Sequence, residues 1–464
     1  MKRHFSAAFA AALLGAVLLL VYAGSLEINK SWRNYNQEVV NLELPTGEVE
    51  RCLTCHAGIE EISPSHPIET MGCVSCHGGN GLALEQDTAH EGLRGGRNPA
   101  ALEVAGVSCG GSSGQCHSGR GSLYQSPAET VPRMPMATKA GEIWVTGRNF
   151  GWWDLEQYSS LAVKKVVESV VPLPPDLLND RGLKGPGAVL EAFDPLAVGG
   201  MAAKLEDNCL TYCHLNTGAE EKQTDPAPER NHEHLGGCSA CHVDFQSGST
   251  YQGGDPTIDP AEPGHAPRHQ LNTAVAYTTC NSCHNQGIHS EATVEFHQRE
   301  DVPAGAITDP RADRDTTYYI PQATYAVCEV KLDCIDCHTR NEIMGDGHLY
   351  GNKAAAQVIR CYNCHGTLQA PPAWKRVTEA DDPAIWAARY QAEGFPEVKP
   401  GDYLAVTDRG EPMHNVRLED GRAVLYSKID GRKMEIPQVT GSACQQDPAE
   451  QQGEQCHSCH DISG

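Results

Sequence analysis

The sequence predicts a mainly irregular chain with short α-helices and one small antiparallel β-meander near its C-terminus. Three observations predict it. The 464 residues include 46 Gly and 29 Pro, yet aromatic residues make up only 6%, so backbone freedom is high and bulky core material is scarce. One five-residue pattern, Cys-x-x-Cys-His, recurs seven times. Residues 401–440 hold short alternating segments, Tyr403–Val406, Arg422–Tyr426 and Lys433–Ile436, separated by Asp408-Arg-Gly, Asp420-Gly421 and Asp430-Gly431, which punctuate hairpins.

The repeated pattern is the attachment signature of c-type haem. Two thiols add to the vinyl groups of one porphyrin, and the histidine directly after the second is placed under the iron as proximal ligand. The cysteines are Cys52 and Cys55, Cys73 and Cys76, Cys238 and Cys241, Cys280 and Cys283, Cys334 and Cys337, Cys361 and Cys364, and Cys456 and Cys459. The proximal histidines are His56, His77, His242, His284, His338, His365 and His460. A random chain of this composition would hold about 0.04 copies. Zinc ribbons also use paired cysteines, but they do not require histidine after every second one. The expected architecture is therefore a multihaem cytochrome c fold packed around covalent haems, whose apolar plates replace the missing aromatic core.

Two further sites are expanded versions of the motif. Cys109 and Cys116 precede His117 with six residues between the sulfurs, and Gly110, Gly111 and Gly114 would let those residues loop out. Cys209 and Cys213 precede His214 with three residues between. In each case a small disulfide loop is the competing reading. Counting both gives about nine haems. Cys328 and Cys444 remain over, and three readings stay open: a disulfide between them, a long attachment motif from Cys444 to Cys456-His457, or Cys328 beside the Cys334/Cys337 haem.

The sequence also supplies second axial ligands. Of 21 His, nine close a motif and one, His4, lies in the N-terminal signal, leaving 11 for nine distal positions. The candidates are His66, His90, His232, His234, His265, His269, His289, His297, His348 and His414, with His457 inside the last motif the weakest.

In order, the chain divides into 1–23, a signal peptide or membrane anchor; 24–118, with three motifs; 119–207, without haem; 208–366, with five motifs; and 367–464, the meander and last motif. Lys2-Arg3-His4 before the apolar run Phe5–Ala23 fits an export signal, and the run is also just long enough to span a bilayer. Periplasmic, membrane-face or extracellular placement suits both the haem chemistry and the cysteines. In 119–207, the spacing of Leu155, Tyr158, Leu161, Val166, Val170 and Val171 predicts an amphipathic helix ending before Pro172. A formal net charge of -24 argues against nucleic acid as partner.

The run Lys331-Leu-Asp-Cys334-Ile-Asp-Cys337-His338-Thr with Glu342-Ile-Met-Gly-Asp346-Gly, the N-terminal pair with its Ser65-His66-Pro67 linker, and the meander before the last motif resemble segments of the large exported multihaem c-type cytochromes of respiratory bacteria. The resemblance covers about two thirds of the chain. It implies electron transfer along closely spaced haems, with redox proteins as partners, such as other multihaem cytochromes or a membrane quinol-oxidising complex, and self-assembly as a variant. Two function classes follow: a conduit in which every iron carries two histidines, and an oxidoreductase with one open iron acting on a small nitrogen or sulfur compound. The histidine supply favours the conduit and a chain with no catalytic residues. The lysine that replaces the proximal histidine at the active haem of some family members is absent from every motif here.

Overall fold

The computed structural model describes residues 2–28, 30–96, 98–110, 126–138, 236–245, 249–277, 279–280, 331–347, 356–392 and 394–442, together with short strands between 161 and 321. The chain forms two compact units, one of residues 1–99 with 248–270 and one of 100–247 with 271–464. This division cuts across the expected five-motif tract 208–366, because 248–270 fold with the N-terminal motifs.

The first unit opens with a helix over Lys2–Ile28. A helix there serves a leader and an anchor equally. Among the residues whose side chains are described, no helix is long and apolar enough to cross a membrane. Next, β1 (Leu42–Glu43) pairs antiparallel with β2 (Val49–Glu50). The motif region carries only short helical turns, Cys52–Thr54, Ile68–Met71, Val74–His77 and Gln86–His90. Its buried apolar side chains, among the described residues, are Trp32, Leu44 and Tyr251, alongside the buried polar Glu50, Thr54 and Asp255. These three side chains are a thin apolar core for a unit of this length.

Residues 248–270 form a strap against the first motif. Gly58 and Gly254 meet backbone to backbone: a Cβ on Gly58 would lie 2.7 Å from the Gly254 carbonyl oxygen, and a Cβ on Gly254 would lie 2.6 Å from that of Gly58. Only glycine permits this approach.

In the second unit β3 (Leu161–Val163) pairs in parallel with β4 (Glu191–Phe193). Leu161–Val163 are thus strand where the 3.6-residue spacing predicts helix: their backbone groups bond across to 191–193, and Val163 opposite Phe193 suits a ladder. The rest of that expected helix lies outside the described residues. Two more antiparallel pairs follow, β5 (Gln223–Thr224) with β6 (Glu233–His234) and β7 (Phe296–Gln298) with β8 (Tyr319–Pro321).

The main core of this unit is a five-stranded antiparallel sheet of β9 (Trp374–Arg376), β10 (Tyr403–Val406), β11 (Pro412–Glu419), β12 (Arg422–Tyr426) and β13 (Lys433–Glu435), in the order β13-β12-β11-β10-β9. Asp420 and Gly421, at φ 49° and 77°, make the two-residue turn that pairs Glu419 with Arg422, the left-handed turn whose twist matches a hairpin. One face packs Val377, Leu404 and Val398 against Ala384 and Ala388 of the helix Pro383–Arg389, which starts at Pro383 behind an Asp382 cap accepting from the Ala384 N–H at 2.9 Å. The other face buries Ala405, Met413, Val416 and Leu425 against Leu332, Ile359 and Cys364, in and beside two of the Cys-x-x-Cys-His motifs.

Candidate cofactor-binding site

Five of the regular motifs lie wholly among the described residues, and each makes one tight turn. The histidine N–H donates to the carbonyl of the first cysteine at 3.0 Å for His56, 2.9 Å for His77, 3.0 Å for His242 and 2.9 Å for His338, while Cys361–His365 is itself a helical turn. Positions i, i+3 and i+4 share one face of such a turn. Both sulfurs and the imidazole of each motif are therefore presented to the same side. Cys52, Cys55, Cys73, Cys76 and Cys238 are half-buried thiols.

Two motif histidines face a second histidine. The rings of His56 and His90 have centroids 6.2 Å apart with planes inclined by 38°. Those of His77 and His269 are 6.0 Å apart and inclined by 30°. Two imidazoles bound through nitrogen at about 2 Å on opposite sides of one metal have ring centroids roughly 6 Å apart. His90 ends the helix Gln86–His90, and His269 lies on the strap.

The other ring nitrogen is engaged in a consistent way. Nδ1 meets Asp255 Oδ2 at 2.8 Å in His56, the Glu60 carbonyl at 3.0 Å in His269, the Asn272 carbonyl at 2.8 Å in His242, Glu342 Oε2 at 3.0 Å in His338 and the Pro437 carbonyl at 2.7 Å in His365. A carbonyl or carboxylate oxygen can only accept, so Nδ1 carries the proton and Nε2 presents its lone pair, as a ligating histidine does. The Asp255 hydrogen bond raises the pKa of His56 against the opposing effect of burial. Burial, with His269 and His56 close by, pushes His77 down to about 4.

Side chains distant in sequence hold these turns. Buried Glu50 accepts from the Cys73 N–H at 2.6 Å and the Val74 N–H at 3.2 Å, capping the second motif. Its carboxylate and the sulfurs of Cys52 and Cys73 lie within 4.8 Å of one another, a trio of metal-ligating types whose acid is already committed as this cap. The hydrogen bond between the two thiols pulls Cys52 below the ordinary thiol range and pushes Cys73 above it. In the second unit the β10–β11 turn staples two motifs. Asp408 accepts from Tyr362 Oη at 2.6 Å and Asn363 Nδ2 at 3.1 Å, and Glu411 accepts from Thr339 Oγ1 at 2.5 Å. Asn415, in the irregular stretch of β11 where the β10 register shifts, donates to the Asp336 carbonyl at 2.9 Å. Buried Lys428 donates through Nζ to the Ile335 carbonyl and through its N–H to Asp336 Oδ1 at 2.7 Å.

The remaining predicted ligands divide clearly. His66 bonds through Nδ1 to Ser63 Oγ at 2.7 Å, and burial pushes its pKa down. His265 turns Nε2 to Glu262 Oε2 at 3.8 Å, a carboxylate and not an imidazole. His414 is buried in β11, edge-on to Phe395 at 5.7 Å, and its Nε2 has no hydrogen-bond partner among the described residues. His234 and His297 sit in β6 and β7. Cys109 follows the helix Leu102–Ser108, and Cys280 is described without its partner Cys283. Cys116, His117, Cys209, Cys213, His214, His232, His284, His289, His348, Cys456, Cys459 and His460 lie outside the described residues, as do Cys328 and Cys444.

Sequence reasoning missed Asp255, Glu50 and Glu60 as site residues. No local signal marks them, since Asp255 acts on a ring 199 positions away. Glu342 had a signal: it stands four residues after His338, one turn along. Compared with known proteins, the chain matches no family model, no curated protein and no solved structure.

Proposed function

We propose that the chain binds about nine c-type haems covalently and transfers electrons through them outside the cytoplasmic membrane, exchanging electrons with redox partner proteins. The observation that carries this reading is the pair of imidazole brackets, His56 with His90 and His77 with His269, each closing on a gap of single-metal width beside two thiols of a Cys-x-x-Cys-His turn. The polar, thinly packed first unit supports it too, because a large apolar plate between those rings would supply the burial that the described side chains lack. When bound, haem supplies an iron that cycles between ferric and ferrous by one electron. The motif cysteines would anchor it through thioethers, the Nδ1 hydrogen bonds would orient the rings, and at His56 and His77 a second histidine, His90 or His269, would hold the iron as well. An iron held by two histidines would suit transfer of electrons better than conversion of a substrate.

The test is electron paramagnetic resonance of the purified oxidised protein, with haem stoichiometry on the same sample, before and after adding nitrite or hydroxylamine. Low-spin signals at about nine haems per chain, unmoved by either compound, are expected. A high-spin signal that shifts with the added compound would sink the conduit in favour of an oxidoreductase with an open iron.

A further inference from the structure

Four of the five described proximal histidines fall into two chemical groups. His242 and His365 donate Nδ1–H to neutral backbone carbonyls, those of Asn272 and Pro437. His56 and His338 donate to carboxylates, Asp255 and Glu342. Both acids are shielded from water, with side chains 1% and 5% exposed, and neither can swing away. Asp255 Oδ1 is held by the Thr257 N–H at 2.9 Å and its hydroxyl at 2.8 Å, which leaves Oδ2 for the ring. Glu342 Oε1 accepts from the N–H groups of Val358 and Ile359, which leaves Oε2 for His338 and the Thr339 N–H at 3.2 Å.

We infer that Asp255 and Glu342 are potential-setting residues, which lower the reduction potentials of the haems at His56 and His338 relative to those at His242 and His365. The inference rests on the haem reading above. A buried anion on Nδ1 makes the imidazole a stronger donor, and its charge favours the ferric over the ferrous state in a medium that screens poorly. One electron is added on reduction and the proton stays on Nδ1, so no other group changes. The two sites differ in strength. Lys428, buried beside the second site with Nζ 3.4 Å from the His338 carbonyl, offsets part of the Glu342 charge, while the acid at His56 has the Thr257 hydroxyl beside it, 3.1 Å from the same Nδ1. Asp255 therefore has the larger effect.

The test is a spectroelectrochemical titration of the full-length, haem-loaded protein and of Asp255→Asn, Glu342→Gln and Glu262→Gln, with haem stoichiometry and low-spin g values on each. Each amide removes the charge and keeps one oxygen that can accept from Nδ1–H, while its NH2 replaces the other acceptor beside Thr257 or beside the Val358 and Ile359 N–H groups. Asp255→Asn is expected to move one low-potential component upward by a tenfold change in its reduction equilibrium, 59 mV, and to shift one set of g values. Glu342→Gln is expected to move another in the same direction by less. Glu262→Gln, at a side chain 60% exposed whose carboxylate lies 3.8 Å from His265, is expected to leave the titration unchanged. Superimposable titrations at full haem loading would overturn the inference, as would an equal shift from Glu262→Gln. If one variant loses a haem, the other decides by the same criterion, and loss from both would make the acids structural supports only. A wild-type preparation without covalent haem would instead end the haem reading itself.

Discussion

Asp255 Oδ2 lies 2.8 Å from His56 Nδ1 although 199 residues separate them, so the first motif of the chain is completed by a segment from its middle. That segment also brings His269 opposite His77. One stretch of about twenty residues thus orients one ring and opposes another, and disturbing it should affect both motifs together.

On the proposed haem reading, His269→Ala is expected to leave covalent attachment intact, since no cysteine is touched, but to remove the second ligand opposite His77. One haem per chain should become high-spin and bind imidazole or cyanide added from outside. An unchanged low-spin spectrum would show that another residue opposes His77.

Gly254→Ala places a methyl carbon about 2.6 Å from the Gly58 carbonyl oxygen, which neither backbone can clear without parting. A loss of roughly 1–3 kcal/mol is expected for this overpacking, measured by denaturant unfolding. Gly47→Ala is a useful contrast. Its added carbon meets nothing within 4 Å, so only its φ of 85° is strained, at a cost of about 1 kcal/mol.

Burial, then Lys428 and Arg417, hold His414 well below its ordinary value of 6.5. The folded ring is neutral, whereas the unfolded ring takes up a proton below 6.5. The stability that His414 contributes is therefore full above pH 6.5 and falls on acidification by about 1.4 kcal/mol per pH unit until the folded value is reached. His414→Gln should flatten thermal stability against pH across that window, and parallel profiles for wild type and variant would refute the assignment.

Lys428→Met removes the buried ammonium that donates to the Ile335 carbonyl and whose charge favours ionised Asp336, while the backbone N–H to Asp336 remains. Losing a hydrogen bond made by a buried charged group costs about 1.5–3 kcal/mol. Adding Asp336→Asn should recover part of that loss, and a double-mutant cycle measures how much.

The sequence made the motif turns legible, because cysteine and histidine spacing maps directly onto one helical turn. The strands 403–406, 422–426 and 433–435 lie where the alternation and the Asp-Gly turns put them. The strands 374–376 and 412–419 were not foreseen: the first is only three residues long, and the second carries His414, Asn415 and Arg417 as buried polar residues that break the alternation. His90 and His269 were among ten candidate ligands, but nothing local says which ring each faces. The carboxylates were hidden for the same reason. Asp255, Glu50 and Glu411 act across 199, 23 and 72 residues, and only tertiary folding brings such distances together.

The strap also has a consequence in time. A ribosome adds about 5–20 residues per second, so the first motif emerges roughly 10–40 s before the segment that completes it. Through that interval the turn of the first motif lacks the carboxylate that orients its histidine in the finished unit.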